Sequence, residues 1–297
     1  MADSDSAPAP RRPLDERALA QVLARLRRAP SAPWLHGEAA RRMADRLAAI
    51  RVQPALVLDW WAGLSASREL LERCYPKARV VAVEPAPLPT PARSLFRRWG
   101  AAARAPLAEA EVAEAGAQLV WANMVLQGCA EPRAMLALWQ RALAVDGFLM
   151  FSTLGPGSLG GLAAIYREAG WPPPFAPFVD MHDLGDMLVE AGFAGPVMDQ
   201  ETVTLTWPDP KALLAELRSL GGNVDPRRHA GLRTPRWRER LCAALASLAG
   251  ADGRPALQFE IVYGHAFKPE PRLPLQAETR VPLQTLRAMA RRGGRER

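Results

Sequence analysis

Two carboxylates, Asp59 and Glu84, stand at the ends of two apolar runs with one glycine, Gly63, in the turn between them. The run Leu56-Val57-Leu58 leads into Asp59, Ser67 to Cys74 carries a helical pattern, and Arg79 to Val83 is rich in β-branched residues and is closed by Glu84. Strand, turn, helix and strand in that order make a βαβ unit. Such units bind a small ligand beyond the C-terminal ends of the strands, with its charged part over the turn and its ribose hydroxyls on an acid closing the second strand. Glu84 is the candidate for that acid, and Asp59 and Gly63 for the turn. A further apolar run, Gln118 to Gln127, places Asn123 at the C-terminal edge of a strand, where functional residues collect. The same Asn could equally form the turn.

The stretch from Val57 to Glu84 resembles the first motif of class I S-adenosylmethionine (SAM) methyltransferases, D-x-G-x-G-x-G, with a ribose-binding acid ending the next strand. The aligned residues are Asp59, Trp60, Trp61, Ala62, Gly63, Leu64 and Ser65, so the middle glycine alone is kept. Asp59 and Glu84 lie 25 positions apart (84 − 59), a spacing that fits the family without insertion. Glycines there allow positive φ and close approach to the ligand, so a Trp at the first of them predicts a ring where methionine or ribose would lie. Weakened SAM affinity is the expectation. The family commonly adds an Asp or Asn after the third strand to meet the adenine amino group. The matching region, Ala101 to Ala105, offers no carboxylate until Glu109, so this contact is expected to be missing or displaced.

Four later segments narrow the resemblance: FSTLGPGSL from Phe151, FVDMHDLGDMLVEAGF from Phe178, PVMDQETVTLTW from Pro196 and YGHAFKP from Tyr263. They are similar to the malonyl-acyl-carrier-protein O-methyltransferases that start biotin synthesis, and Leu35 to Pro269 can be laid on that family with few gaps. The resemblance implies an α/β, Rossmann-like class I methyltransferase sheet, mostly parallel with an antiparallel edge, plus N-terminal helices and a helical lid insertion over about 211–249. It implies SAM as cofactor, held by Asp59, Gly63, Glu84 and Asn123. The acceptor would be the free carboxylate of a malonyl group on an acyl-carrier protein, with Phe178 as a lid aromatic. His182 lies in the same loop and is either structural or in contact with substrate. Arg218 occupies the family's basic position, and a bidentate Arg is well matched to a carboxylate; otherwise it is a solvated helix residue. No general base and no metal ligand set are assigned. Trp60, Trp61 and Ser65 leave a second reading open, a catalytically impaired relative acting as a binding or regulatory module.

The elements that must position these residues follow from pattern. Residues 1–13 are Pro/Ala/Ser-rich and expected to be disordered. Helices are predicted over Leu14 to Arg28 and from His36 to Ala49, with Trp34 and His36 at the lid or Trp34 as a hydrophobic staple. The third strand is hard to find. A helix at Pro132 to Ala142, a turn at Asp146-Gly147, and a strand at Phe148 to Thr153 follow. Phe178 to Gly192 reads as a loop feeding a helix capped by Asp180 and stopped at Gly192. Strands are predicted near Val197 to Asp199, Thr202 to Trp207, Gln258 to Tyr263 and His265 to Phe267. One domain over 14–270 and a basic tail over 271–297 complete the chain.

Composition sets bounds on this reading. The 297 residues, 49% hydrophobic and 23% charged, suffice for one large core. No apolar run approaches the roughly 20 residues that span a bilayer, and no secretory h-region opens the chain. The three cysteines are far apart, which suggests neither a disulfide framework nor a zinc site, and a cytoplasmic setting is expected. Net charge is +7 with a pI of about 10.0, which suits an acidic partner or merely reflects an Arg-rich composition. Arg227, Arg228, Arg233, Arg236 and Arg238 form a basic cluster, a candidate docking face for a carrier protein or a solvated face. A nucleic-acid partner is not expected, because the basic tail lacks aromatic interleaving.

Overall fold

Side chains alternate between the two faces of a strand, so an apolar run that is buried on both sides builds two hydrophobic layers. Leu119 and Trp121 pack on one face with Val57, Phe148 and Met150, while Val120 and Ala122 pack on the other with Leu58, Trp60, Leu149 and Phe151. The structure, a computed structural model, describes residues 12–85 and 105–271. Its order is α1 (Glu16–Arg27), α2 (Trp34–Arg46), β1 (Leu56–Trp60), α3 (Ala62–Ser65), α4 (Arg68–Cys74), β2 (Arg79–Glu84), β3 (Leu107–Ala108), β4 (Ala117–Asn123), α5 (Pro132–Ala142), β5 (Leu143–Leu154), α6 (Gly160–Glu168), α7 (Met181–Glu190), β6 (Ala194–Thr206), α8 (Pro210–Leu220), α9 (Pro235–Ala246) and β7 (Ala256–Phe267). Among the described residues the strands form one seven-stranded sheet in the order β3-β2-β1-β4-β5-β7-β6. β1 to β5 pair in parallel, and β7 runs antiparallel between β5 and β6. Strand order reverses between β1 and β4, where doubly wound sheets open their crevice.

Local chemistry accounts for most element ends. Asp15 caps α1 by accepting the Ala18 N–H at 2.9 Å, and Arg228 ties the same carboxylate to the lobe at 2.7 Å. Asp180 caps α7 through the His182 N–H, and Gly192, at φ +87°, follows its end. Arg42 and Arg46 of α2 pair with Glu201 and Asp199 of β6 at 2.5 and 2.6 Å, fixing the helix across the antiparallel edge.

Several sequence expectations shift. The pairs of short strands predicted on either side of the lobe are single long strands, β6 and β7, paired along most of their length. The Asp146-Gly147 turn is an irregularity inside β5, with Asp146 at φ +62° and its N–H on the Lys268 carbonyl at 2.9 Å. β3 exists but has two residues, too few to show a period. Of the segment expected to be disordered, residues 1–11 lie outside the described residues. Arg12, however, donates to the carbonyls of Leu126, Gln127 and Cys129 and to that of Pro177 at 2.6 Å. Of the basic tail, residues 272–297 likewise lie outside the description. Among the described residues no helix is long and apolar enough to cross a membrane.

The fully buried Trp60 indole meets Trp139 of α5 edge to face at 6.0 Å between ring centroids. Trp60→Gly should therefore destabilise the fold by about 3–5 kcal/mol, as large-to-small core changes do. Urea unfolding measures this, and a loss below about 1 kcal/mol would show that the ring is not part of the core.

Candidate active site

The βαβ turn is built around two indoles that point in different directions. Asp59 and Trp60 are successive strand residues, so their side chains leave opposite faces, and Trp60 is carried into the core rather than into the crevice. The ring expected in the ligand space is that of Trp61, at the first glycine position, and Trp61 does line the cavity beside the turn. Trp61 takes the left-handed conformation, φ +54° and ψ +46°, that the motif's glycines would otherwise supply. Its ring packs on Gly128, where an added Cβ would come within 3.1 Å. Both indole N–H groups donate to one oxygen, Oε1 of Glu109, at 2.8 Å each. Glu109 directly follows β3, so a carboxylate does stand after the third strand, displaced from Ala101 to Ala105. The strand had been sought a few residues too early.

Glu84 ends β2 with a side chain that is 3% exposed. Its Oε1 accepts the Gly63 N–H at 2.7 Å, and its Oε2 pairs with Arg27 of α1 at 2.8 Å. Gly63 matters through proximity, since a Cβ there would sit 3.1 Å from Glu84 Oε1. Arg27 was not singled out in the sequence, and its helical position at the end of α1 gave no cue that it reaches a strand end 57 residues away.

Beneath the turn lies a buried polar layer. Ser65 donates to Asp59 Oδ2 at 3.1 Å, while Asp59 Oδ1 is buried without a partner among the described residues. Asn123 spends both amide hydrogens on the carbonyls of His36 (2.8 Å) and Ser65 (2.6 Å), and its oxygen accepts from Ser152 at 2.6 Å. It therefore braces α2, α3 and β5 instead of facing a ligand, which corrects its expected place among the cofactor contacts. His36 Nδ1 lies 2.8 Å from the Leu64 carbonyl. Burial holds the His36 imidazole down at about 4, partly offset by that carbonyl. Burial pushes the Asp59 carboxyl up to about 7, with the Glu84 charge adding and the Ser65 hydroxyl opposing.

A cavity of about 380 Å³ opens between α1, the turn and α8, lined mainly by leucines together with His36, Trp61 and Met124. Phe178 joins its wall, stacked on Phe175 at 5.4 Å. Arg218 reaches the rim from the end of α8, exposed, beside Arg25 of α1, which donates to the carbonyls of Arg218 and Gly221. Arg25 is depressed by burial and then by the Arg218 charge, and neither guanidinium has an acidic partner among the described residues. His182 is not brought to this cavity: it is exposed on the first turn of α7, held only by its capped N–H. Trp34 is 55% exposed and also lies outside it, whereas its neighbour His36 forms part of the wall. Among the described residues no cluster of side chains could hold a metal ion.

Asp59 and His36 oppose one another in their effect on stability. The folded chain binds the Asp59 proton more tightly than the unfolded one, so that contribution is full below pH 3.8 and is lost as pH rises to about 7. The folded chain disfavours protonated His36, so that contribution is full above pH 6.5 and is lost as pH falls to about 4. Each slope approaches about 1.4 kcal/mol per pH unit, and between these limits they cancel. Asp59→Asn removes the opposing slope, so its stability should rise with pH more steeply than that of the wild type between about 4 and 6.5. Urea unfolding at stepped pH checks this, and parallel profiles would contradict it.

No protein-family model matches the chain. Among curated proteins, it is 39% identical over 250 residues to the malonyl-acyl-carrier-protein O-methyltransferase of Laribacter hongkongensis, covering 80% of this chain and 84% of that protein. It is 36% identical over 272 residues to the protein of the same name from Gallionella capsiferriformans, covering 88% of this chain and 93% of that one. Among solved structures, the YcgJ protein of Bacillus subtilis superposes with a TM-score of 0.51 at 10% identity, over 79% of this chain and 99% of that one, a likeness of fold alone. With that identity sustained over most of both chains, and with the turn, the closing acid and the covered crevice in place, the chain belongs to the malonyl-acyl-carrier-protein O-methyltransferase family.

Proposed function

We propose that this chain transfers the methyl group of S-adenosyl-L-methionine to the free carboxylate of a malonyl thioester on an acyl-carrier protein, in the cytoplasm and at the start of biotin synthesis. The observation that carries this reading is the apolar cavity, bounded on one side by the Trp61-to-Leu64 turn and rimmed by Arg25 and Arg218, neither of which has an acidic partner among the described residues. The chain's residues fit the cofactor: Trp60 is carried into the core, Trp61 takes the left-handed backbone of the first motif glycine, Gly63 keeps the close approach, and Glu84 presents a carboxylate at the strand end. Glu84 would hold the ribose hydroxyls, the backbone from Trp61 to Gly63 would lie against the methionine part, and the second oxygen of Glu109 would meet the adenine amino group. When bound, the cofactor supplies an electrophilic methyl on a positively charged sulfur.

A carboxylate is already a nucleophile at neutral pH, so no residue has to remove a proton. The chain's task is to orient that carboxylate and to keep water from it. The leucine-lined wall and Phe178 exclude water, while Arg218, helped by Arg25, draws the anionic end of the acceptor into the mouth. His36, neutral at working pH, adds no competing charge. Methylation removes the acceptor's charge, and the product can then be extended as an ordinary acyl group. Purified chain with SAM and malonyl carrier protein should yield a carrier heavier by one methyl group in intact-mass spectra. Acetyl carrier protein, which lacks the carboxylate, should stay unmodified. Equal modification of both would overturn the acceptor assignment.

Three substitutions follow from the geometry. Glu84→Ala should weaken SAM binding by about 1.5–3 kcal/mol, roughly tenfold to a hundredfold by calorimetric titration. Arg27→Met should tighten it about threefold or more, because ribose no longer competes with an ion pair for Glu84; weaker binding would show that Arg27 helps to hold the cofactor. Arg218→Met, at a half-solvated mouth, should lower kcat/KM for malonyl carrier protein by about tenfold without weakening SAM binding. An unchanged kcat/KM would remove Arg218 from the acceptor site.

A further inference from the structure

Beside the apolar cavity runs a second, open groove, along α6 and the proline-rich loop after it. The two share a partition formed by Tyr166, Pro174, Phe175 and Phe178, so a linear ligand can pass from one into the other around those rings. Their chemistry differs. The inner cavity is leucine-rich, whereas Arg167 and Arg227 line the outer groove. Arg227 is held in place by the buried Asp225 carboxylate, its Nε and one terminal nitrogen at 3.2 and 3.0 Å. Arg167 is exposed and makes no side-chain hydrogen bond or ion pair among the described residues. Two further cations lie over the adjoining aromatic rings: Arg240 is 5.5 Å from the Trp171 centroid and Arg233 is 4.5 Å from that of Trp237, and the two indoles pack 5.2 Å apart.

We propose that this groove takes the phosphodiester end of the pantetheine arm that carries the acyl group, with Arg167 and Arg227 as its phosphate ligands. The inference rests on the acceptor reading above and assigns the path of its arm. An arm of this kind has an acyl thioester at one end, here closed by the carboxylate that is methylated, and one phosphate at the other, joined by a narrow, flexible amide chain. It matches a dry cavity for the acyl end, an aromatic gate to grip the chain, and a pair of guanidinium groups for a single anion. Arg233 and Arg240, farther out on the same rim, face the acidic surface from which the arm emerges and act on the approach of the carrier. A nucleic acid would need a line of phosphate contacts, and the groove instead ends against the partition. Phe178 gains a second role, as the residue around which the arm turns.

The test compares two acceptors that differ only in the phosphate: malonyl-phosphopantetheine and malonyl-pantetheine. Their binding to the whole chain is measured by calorimetry, independently of turnover. The wild type should bind the phosphorylated acceptor about tenfold tighter, Arg167→Gln should erase that ratio, and Arg167→Lys should retain part of it. Arg227→Gln, which leaves Asp225 without its partner and can loosen the loop, is a second variant expected to move the ratio the same way. A wild-type ratio near one, or a ratio untouched in Arg167→Gln, overturns the proposal. Failure of the parent reading would look different: neither acceptor would gain a methyl group on incubation with SAM, whatever their binding ratio.

Discussion

A carboxylate taken almost wholly out of water must be partnered, and the partners of Glu84 decide the shape of this site. One is the N–H of Gly63, inside the turn that follows β1; the other is Arg27, from a helix that belongs to no part of the sheet. Through that pair, and through Leu26 packed into the core beside Trp60 and Leu64, α1 is drawn down across the crevice. The attachment is incomplete. Arg27 Nε is buried with no hydrogen-bond partner among the described residues, so the ion pair gives up part of the desolvation cost without return. On the proposed reading, the ribose hydroxyls of the cofactor would take the place of Arg27 on Glu84.

The altered turn shows how a glycine-dependent backbone survives the loss of glycines. A non-glycine residue in the left-handed region costs about 1–2 kcal/mol, and Trp61 carries that strain. The large ring is offset by what it gains: contact with Gly128, burial, and a hydrogen bond to Glu109 that it shares with Trp60. The twin indoles and Glu109 thus form one unit, in which a charged acceptor serves two donors at the end of β3. Trp60 faces α5, whereas Trp61, at the position of the first glycine, lines the cavity.

Much of this was legible in the sequence where local pattern and local chemistry agree. The βαβ unit, the closing acid Glu84 and the cap at Asp180 all rest on periodicity or on a residue type suited to one position. What was not legible involves direction or distance. The face to which Trp60 points depends on the phase of strand alternation at the last residue of β1, which composition does not fix. The two-residue β3 has no period, so the sequence did not show that Glu109 closes it and holds both indoles. Asn123 and His182 have polar side chains at suggestive chain positions. Yet one is saturated by the carbonyls of His36 and Ser65 and by Ser152, and the other is turned to solvent from α7. Arg12, Arg25 and Arg27 could not be told apart from the other arginines, because their meaning lies in carbonyls and a carboxylate far along the chain.

The most direct test of this account is a crystal structure of the chain with S-adenosylhomocysteine, the demethylated cofactor. The account predicts the ribose hydroxyls on Glu84, Arg27 withdrawn from that carboxylate, Trp60 still against Trp139 and both indoles still on Glu109. A ligand bound elsewhere while Arg27 and Glu84 remain paired, or a Trp60 ring swung out to contact the ligand, would contradict it.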